Sequence, residues 1–229
     1  MAAYQQALAD GAERVLGPIS REAVTLLYQS EVKRVPTLAL NYADAPALPP
    51  PGSLQFALLP EEEAAAAADR MIHRGLKRAL VLVPKDEVGQ RAAAAFGERL
   101  RAQGGVVAGQ AEYDPAAADQ SAEIRRLIGM EQSQARLQFL RGLLGTDVRM
   151  DPTPRADVDA IFLFARNAQA RVLLPQLKAS EATRLPILAT SAIYGGSNSA
   201  ADVDLDGVEF CEVPWLLGAT DEPSIPTRE

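Results

Sequence analysis

Apolar residues follow two rhythms along this chain. Short runs in which every residue is apolar, Ala79 to Val83 (ALVLV) and Ala160 to Ala165 (AIFLFA), alternate with longer stretches of helical spacing. A strand that is apolar on every residue is covered on both faces, as in a parallel sheet. Shorter runs at Arg14–Gly17, Val35–Leu40, Leu54–Leu58, Gly105–Ala111 and Pro186–Thr190 read as further strands. Helical patterns fill the gaps at Ser20–Lys33, Pro60–Gly75, Asp86–Gln103, Asp119–Gly129 and Asn167–Ser180, with Asn167 a candidate N-cap. The Pro60 helix is marked at both ends. Proline and Glu61, Glu62 and Glu63 suit the positive end of the helix dipole, and basic residues precede Gly75. Strand and helix in alternation predict an α/β fold with parallel sheets and right-handed crossovers.

Two stretches interrupt the alternation. Ala43–Ser53 carries Pro46, Pro49, Pro50, Pro51 and Gly52, which exclude helix or central strand and predict a stiff surface loop. Gln132–Gly145 has apolar Leu137, Leu140 and Leu144 among Arg136 and Arg141, an extra amphipathic helix followed by a polar loop over Thr146–Asp157.

Composition narrows the function. The 229 residues are 48% hydrophobic and 23% charged, ordinary globular usage, and suffice for one large or two small lobes. A net charge of −7 opposes binding to nucleic-acid phosphates, so no nucleic-acid partner is expected. With one cysteine and one histidine the chain has too few ligands for the usual zinc sites and cannot form an internal disulfide. No apolar run reaches the length of a membrane span.

Catalytic motifs are missing as well. His73 stands where a helix ends, a position that favours imidazole near the last carbonyls. Cys211 lies in an alternating strand pattern, Val208–Val213, and reads as a packed thiol. Neither glycine-rich phosphate motif occurs. Asp202–Gly207 imitates the start of a calcium loop, but Val213 stands where its glutamate belongs, so an acidic turn is expected. Catalytic residues, metal and cofactor are therefore all predicted to be none. In open α/β sheets ligands bind at the carboxyl ends of strands. Candidate cleft residues there are Ser20, Asn41, Tyr42, Thr190, Ser191 and Tyr194.

Six segments together carry a family resemblance: RVLGPIS (14–20), VPTLALNY (35–42), GLKRALVLVP (75–84), ADVDAIFLFA (156–165), LPILATSAIY (185–194) and DLDGVEFCEVPWLL (204–217). Their spacing resembles the C-terminal domain of LpoA-type lipoproteins, outer-membrane activators of penicillin-binding proteins, across almost the whole chain. The resemblance implies two Rossmann-like lobes of the type I periplasmic binding protein kind. Residues 1–58 and 207–229 would form a first, incomplete lobe, and 59–206 a second, with an insertion at about 130–157. It also implies a place on the periplasmic side of the outer membrane, with lipid anchor and signal outside this chain. The implied role is non-catalytic activation of a class A penicillin-binding protein, a bifunctional peptidoglycan synthase, by direct contact. Arg136, Arg141, Arg149 and Arg155, in or beside the insertion, are the candidate partner surface, since arginine is enriched at interfaces. The alternative is a solute-binding protein that closes its lobes on a small amino-acid-like ligand.

Overall fold

The computed structural model describes residues 1–30, 35–44, 46–145, 151, 153–180, 184–196 and 200–212. The chain divides into two compact units, Met1–Leu59 and Pro60–Glu229.

The first unit contains α1 (Ala2–Ala9), β1 (Val15–Leu16), α2 (Arg21–Gln29), β2 (Thr37–Ala39) and β3 (Ser53–Gln55). Its strands form a parallel sheet in the order β1-β2-β3. Thr37 and Ala39 are buried while Leu38 between them is 37% exposed, the two-residue alternation of a sheet with one covered face. Tyr4, Val24, Leu27, Tyr28 and Ala39 make the core on the covered side. Helix α1 has no counterpart in the predicted elements. Its sequence, AAYQQALA, lacks an apolar stripe, and Tyr4 alone is buried, with its hydroxyl 3.3 Å from Thr37 Oγ1.

The second unit runs α3 (Pro60–His73), β4 (Arg78–Pro84), α4 (Glu87–Ala102), β5 (Val106–Tyr113), α5 (Ser121–Leu127), α6 (Met130–Leu144), β6 (Ala160–Leu163), α7 (Asn167–Ala179), β7 (Ile187–Ala189) and β8 (Val208–Phe210). Its five strands are parallel, in the order β5-β4-β6-β7-β8. The apolar runs of β4 and β6 are buried on both faces. Leu80, Leu82, Ile161 and Leu163 share one core with Ile124 of α5 and Leu173 and Leu174 of α7. Ala79, Val81, Val83 and Phe162 share the other with Met71 of α3 and Phe96 of α4, and the rings of Phe96 and Phe162 stack 4.2 Å apart. Asp86 caps α4 by accepting from the Gly89 amide at 2.7 Å. A Cβ on Gly89 would sit 2.3 Å from the Pro84 carbonyl, so this close turn from β4 into α4 requires glycine.

Three expectations are corrected. Arg166, not Asn167, is the N-cap of α7: its backbone amide donates to Gln169 Oε1, while the Asn167 side chain donates through Nδ2 to the Ile193 carbonyl at 3.0 Å. In α6 only Leu137 of the three predicted leucines is buried. Leu144, at the helix end, is 56% exposed. Strand β8, expected in the first lobe, pairs with β7 at Leu188↔Glu209 on the edge of the second unit's sheet. There the Glu209 carboxylate also meets Arg70 of α3 and Arg74 just past its end. The remainder of the predicted return, 213–229, lies outside the described residues.

Candidate functional site

The six predicted cleft residues belong to two different units, three in each. In the first unit Ser20 follows β1 and caps α2, its Oγ accepting from the Ala23 amide at 3.2 Å. Asn41 follows β2 and ties the two loops together. Its Nδ2 donates to the Ile19 carbonyl and its Oδ1 accepts from the Tyr42 amide, both at 2.9 Å. Ser20 and Asn41 are therefore brought close, but their polar atoms already serve local structure.

In the second unit Thr190, Ser191 and Tyr194 occupy the turn after β7. Thr190 is extended and begins a short 3-10 turn over Ser191–Ile193. A backbone amide at the start of such a turn can seat a carboxylate, and the chain supplies its own. Glu63 in the first turn of α3 accepts from the Ser191 amide at 2.7 Å and from the Ser191 hydroxyl at 2.8 Å. The Tyr194 ring stacks on Phe210 of β8, centroids 5.7 Å apart. Thr190 differs from its neighbours: it is 1% exposed and its hydroxyl has no hydrogen-bond partner among the described residues.

Cys211 lies beside the same residue, Glu63. Its Sγ approaches the Glu63 carbonyl at 3.8 Å and the Ala189 carbonyl at 4.0 Å. Burial, reinforced by the Glu63 charge, pushes its thiol up to about 11, so it is protonated at neutral pH. His73 is exposed at the end of α3. In the acidic turn, Asp202 accepts from Arg171 at 2.7 Å, an ion pair that occupies a carboxylate the calcium-like pattern singled out. Among the described residues no group of three His, Cys, Asp or Glu side chains converges as metal ligands would.

The four candidate arginines part company. Arg149 lies outside the described residues. Arg141 is exposed in the last turn of α6. Arg136, in mid-α6, and Arg155 line one cavity of about 660 Å³, together with Arg126 at the end of α5, which the sequence did not single out. Arg155 is anchored within it. Its guanidinium donates to the Ala108 carbonyl at 2.9 Å and to both Asp157 oxygens at 2.7 Å. The Arg155 and Arg78 guanidiniums hold the Asp157 carboxyl well below the usual carboxylate range.

Comparison with known proteins follows the same outline. The family model described as LppC putative lipoprotein matches residues 2–225. A curated relative from Photobacterium profundum, named penicillin-binding protein activator LpoA, is 30% identical over 211 residues, covering 91% of this chain and 34% of the relative. The chain thus spans about a third of the length of the curated relatives it matches. Among solved structures, the LpoA C-domain from Haemophilus influenzae, described as a regulator of PBP1A, superposes with a TM-score of 0.61 at 22% identity, over 98% of this chain and 62% of that one. A putative branched-chain amino acid ABC transporter protein from Chromobacterium violaceum gives 0.60 at 28% identity, over 98% and 61%.

Proposed function

The chain belongs to the LppC family of lipoproteins, and from that premise we propose that it activates a bifunctional peptidoglycan synthase of the class A penicillin-binding protein type by direct contact, with no chemistry of its own. The observation that carries this reading is the match of 91% of the chain to a protein named as a penicillin-binding protein activator. The state of the reactive groups supports it. The sole thiol is protonated at neutral pH, and the amide and hydroxyl of Ser191 are held by Glu63. In this reading the protein works on the periplasmic side of the outer membrane, where its partner builds the wall.

The test is glycan polymerisation and peptide crosslinking by the purified synthase, with and without the full-length protein. Stimulation of either rate is expected, and unchanged rates overturn the proposal.

One observation favours a second reading, a solute-binding protein for a small amino-acid-like ligand. The Thr190 hydroxyl, without a partner among the described residues, stands at the carboxyl end of β7, the edge at which such sheets bind ligands. A ligand that binds only the folded protein raises its melting temperature by mass action. Thermal unfolding against free amino acids therefore separates the two readings: a shift that depends on Thr190 favours the solute, and none removes it.

A further inference from the structure

The arginine cavity lies at the amino-terminal edge of the second unit's sheet, where Arg78 opens β4 and Ala160 opens β6. That is the edge opposite Thr190 and Ser191, so it is independent of the loops after β7. Its frame is fixed. The Arg155 amide donates to the Ile128 carbonyl at 2.8 Å. Gly129, at φ 79, turns α5 into α6, and a Cβ there would meet the Arg155 side chain at 3.4 Å. Buried Ser133 accepts from the Thr153 amide at 3.1 Å, which holds the 153–157 segment against α6.

Charge within this frame is unbalanced. Asp157 is shared by Arg155 and Arg78, while Arg126 and Arg136 are exposed and make no hydrogen bond or ion pair with described residues. On a chain of net charge −7 this is a local concentration of positive charge, and it attracts anions. The cavity also does not end in water-loving surface. Arg136, Phe139 and Leu143 recur at helical spacing along one face of α6, and Phe139 and Leu143 are 68% and 69% exposed. Two guanidiniums without a partner among the described residues thus lead directly into an apolar stripe. A small anion would satisfy the first and leave the second in water. An acidic polypeptide segment with apolar neighbours satisfies both.

We propose that this cavity and stripe are a docking site for a carboxylate-bearing, apolar-flanked segment of a partner protein. Arg126 and Arg136 grip the carboxylates, and Phe139 and Leu143 cover the apolar side chains. Arginine suits this role because its planar fork pairs with a carboxylate through two hydrogen bonds. The proposal rests on the activator reading for the identity of the partner, the synthase.

The experiment measures binding of the purified synthase to the full-length protein, unaltered and as R126E/R136E, R126K/R136K and F139S/L143S. Charge reversal is expected to weaken binding about tenfold or more, the lysine pair less, and the serine pair about fivefold. All three variants should melt as the parent does, because the altered side chains are exposed. If the parent binds and R126E/R136E binds as tightly, the docking site is wrong and the activator reading stands. If the parent binds no synthase, the activator reading fails, and the docking site is judged on a probe peptide of two glutamates among leucines and on its glutamine counterpart. Binding of the glutamate peptide alone, lost in R126E/R136E, supports the site. Equal or absent binding of the two peptides overturns it, as does inorganic phosphate binding more tightly than the glutamate peptide.

Discussion

The two units carry sheets of the same kind in different surroundings. Both are wholly parallel. In the second, β4 and β6 lie between α3 and α4 on one face and α5 and α7 on the other, and Leu80, Val81, Leu82, Ile161, Phe162 and Leu163 are fully buried. In the first, the register Leu16↔Leu38↔Leu54 aligns three leucines into a ladder on the face away from the core, and they are 71%, 37% and 69% exposed. Apolar side chains contribute to stability in proportion to the area they remove from water. The same residue type therefore means different things in the two sheets: in one it holds the fold together, and in the other it leaves a bare apolar surface.

That contrast can be broken by matched truncations. Phe162→Ala removes a ring stacked on Phe96 in a closed core, and is expected to cost about 3–5 kcal/mol. Leu54→Ala on the bare ladder should stay within about 0.5 kcal/mol. Amide hydrogen exchange reads each unit separately, and a Leu54 penalty approaching that of Phe162 would show that the ladder is covered in solution.

A smaller effect tests how the second unit ties its helices to its strand ends. Glu63→Ala leaves the Ser191 amide and hydroxyl without their carboxylate, and should cost about 1.5–3 kcal/mol. Denaturant unfolding checks the value. The first unit has a local counterpart in the Ser20 cap of α2, where Ser20→Ala should cost about 1 kcal/mol. A Glu63 penalty no larger than that of Ser20 would mean that the long-range carboxylate acts as no more than a local cap.

Acid sharpens the comparison further. The Asp157 carboxyl has its folded-state pKa lowered by Arg155 and Arg78. Its stabilisation is complete above the unfolded carboxylate value of about 3.9 and is lost as pH falls from there through the lower folded value. Asp157→Asn should therefore unfold with less loss of stability on acidification than the parent does. An identical pH profile for the two proteins would remove Asp157 from the account. The smallest stability change is expected for Leu16→Ser with Leu54→Ser, whose readout is surface chemistry. Binding of a hydrophobic dye should fall while unfolding is nearly unchanged.

How much was legible in advance depended on the range of the interaction. The β4 and β6 runs announced a sheet buried on both faces because burial on both sides requires apolar residues at every position. Both ends of α3 were readable because its proline, glutamates and basic residues answer to the helix's own dipole. Ser20 stood at the start of a predicted helix, and its capping of α2 is local in the same way. Helix α1 was missed because it buries Tyr4 alone, which leaves no periodic stripe to detect. Of the cleft candidates, Ser191 was correctly placed at a strand's carboxyl end, but nothing near it in sequence announced Glu63, 128 residues away.

By itself, then, the sequence determined the alternation of strand and helix, the parallel character of the sheets and the scarcity of cysteine and histidine. These follow from side-chain periodicity and composition, which act over a few residues or over none. The tertiary structure alone decided that β8 joins β7, that Glu63 fills the turn after β7, and that Arg126, Arg136 and Arg155 from three separate segments line one cavity. Those outcomes depend on contacts between residues far apart in the chain. Such contacts exist only after the sheet has set the distances between its edges, and no local pattern of apolar and polar residues records them.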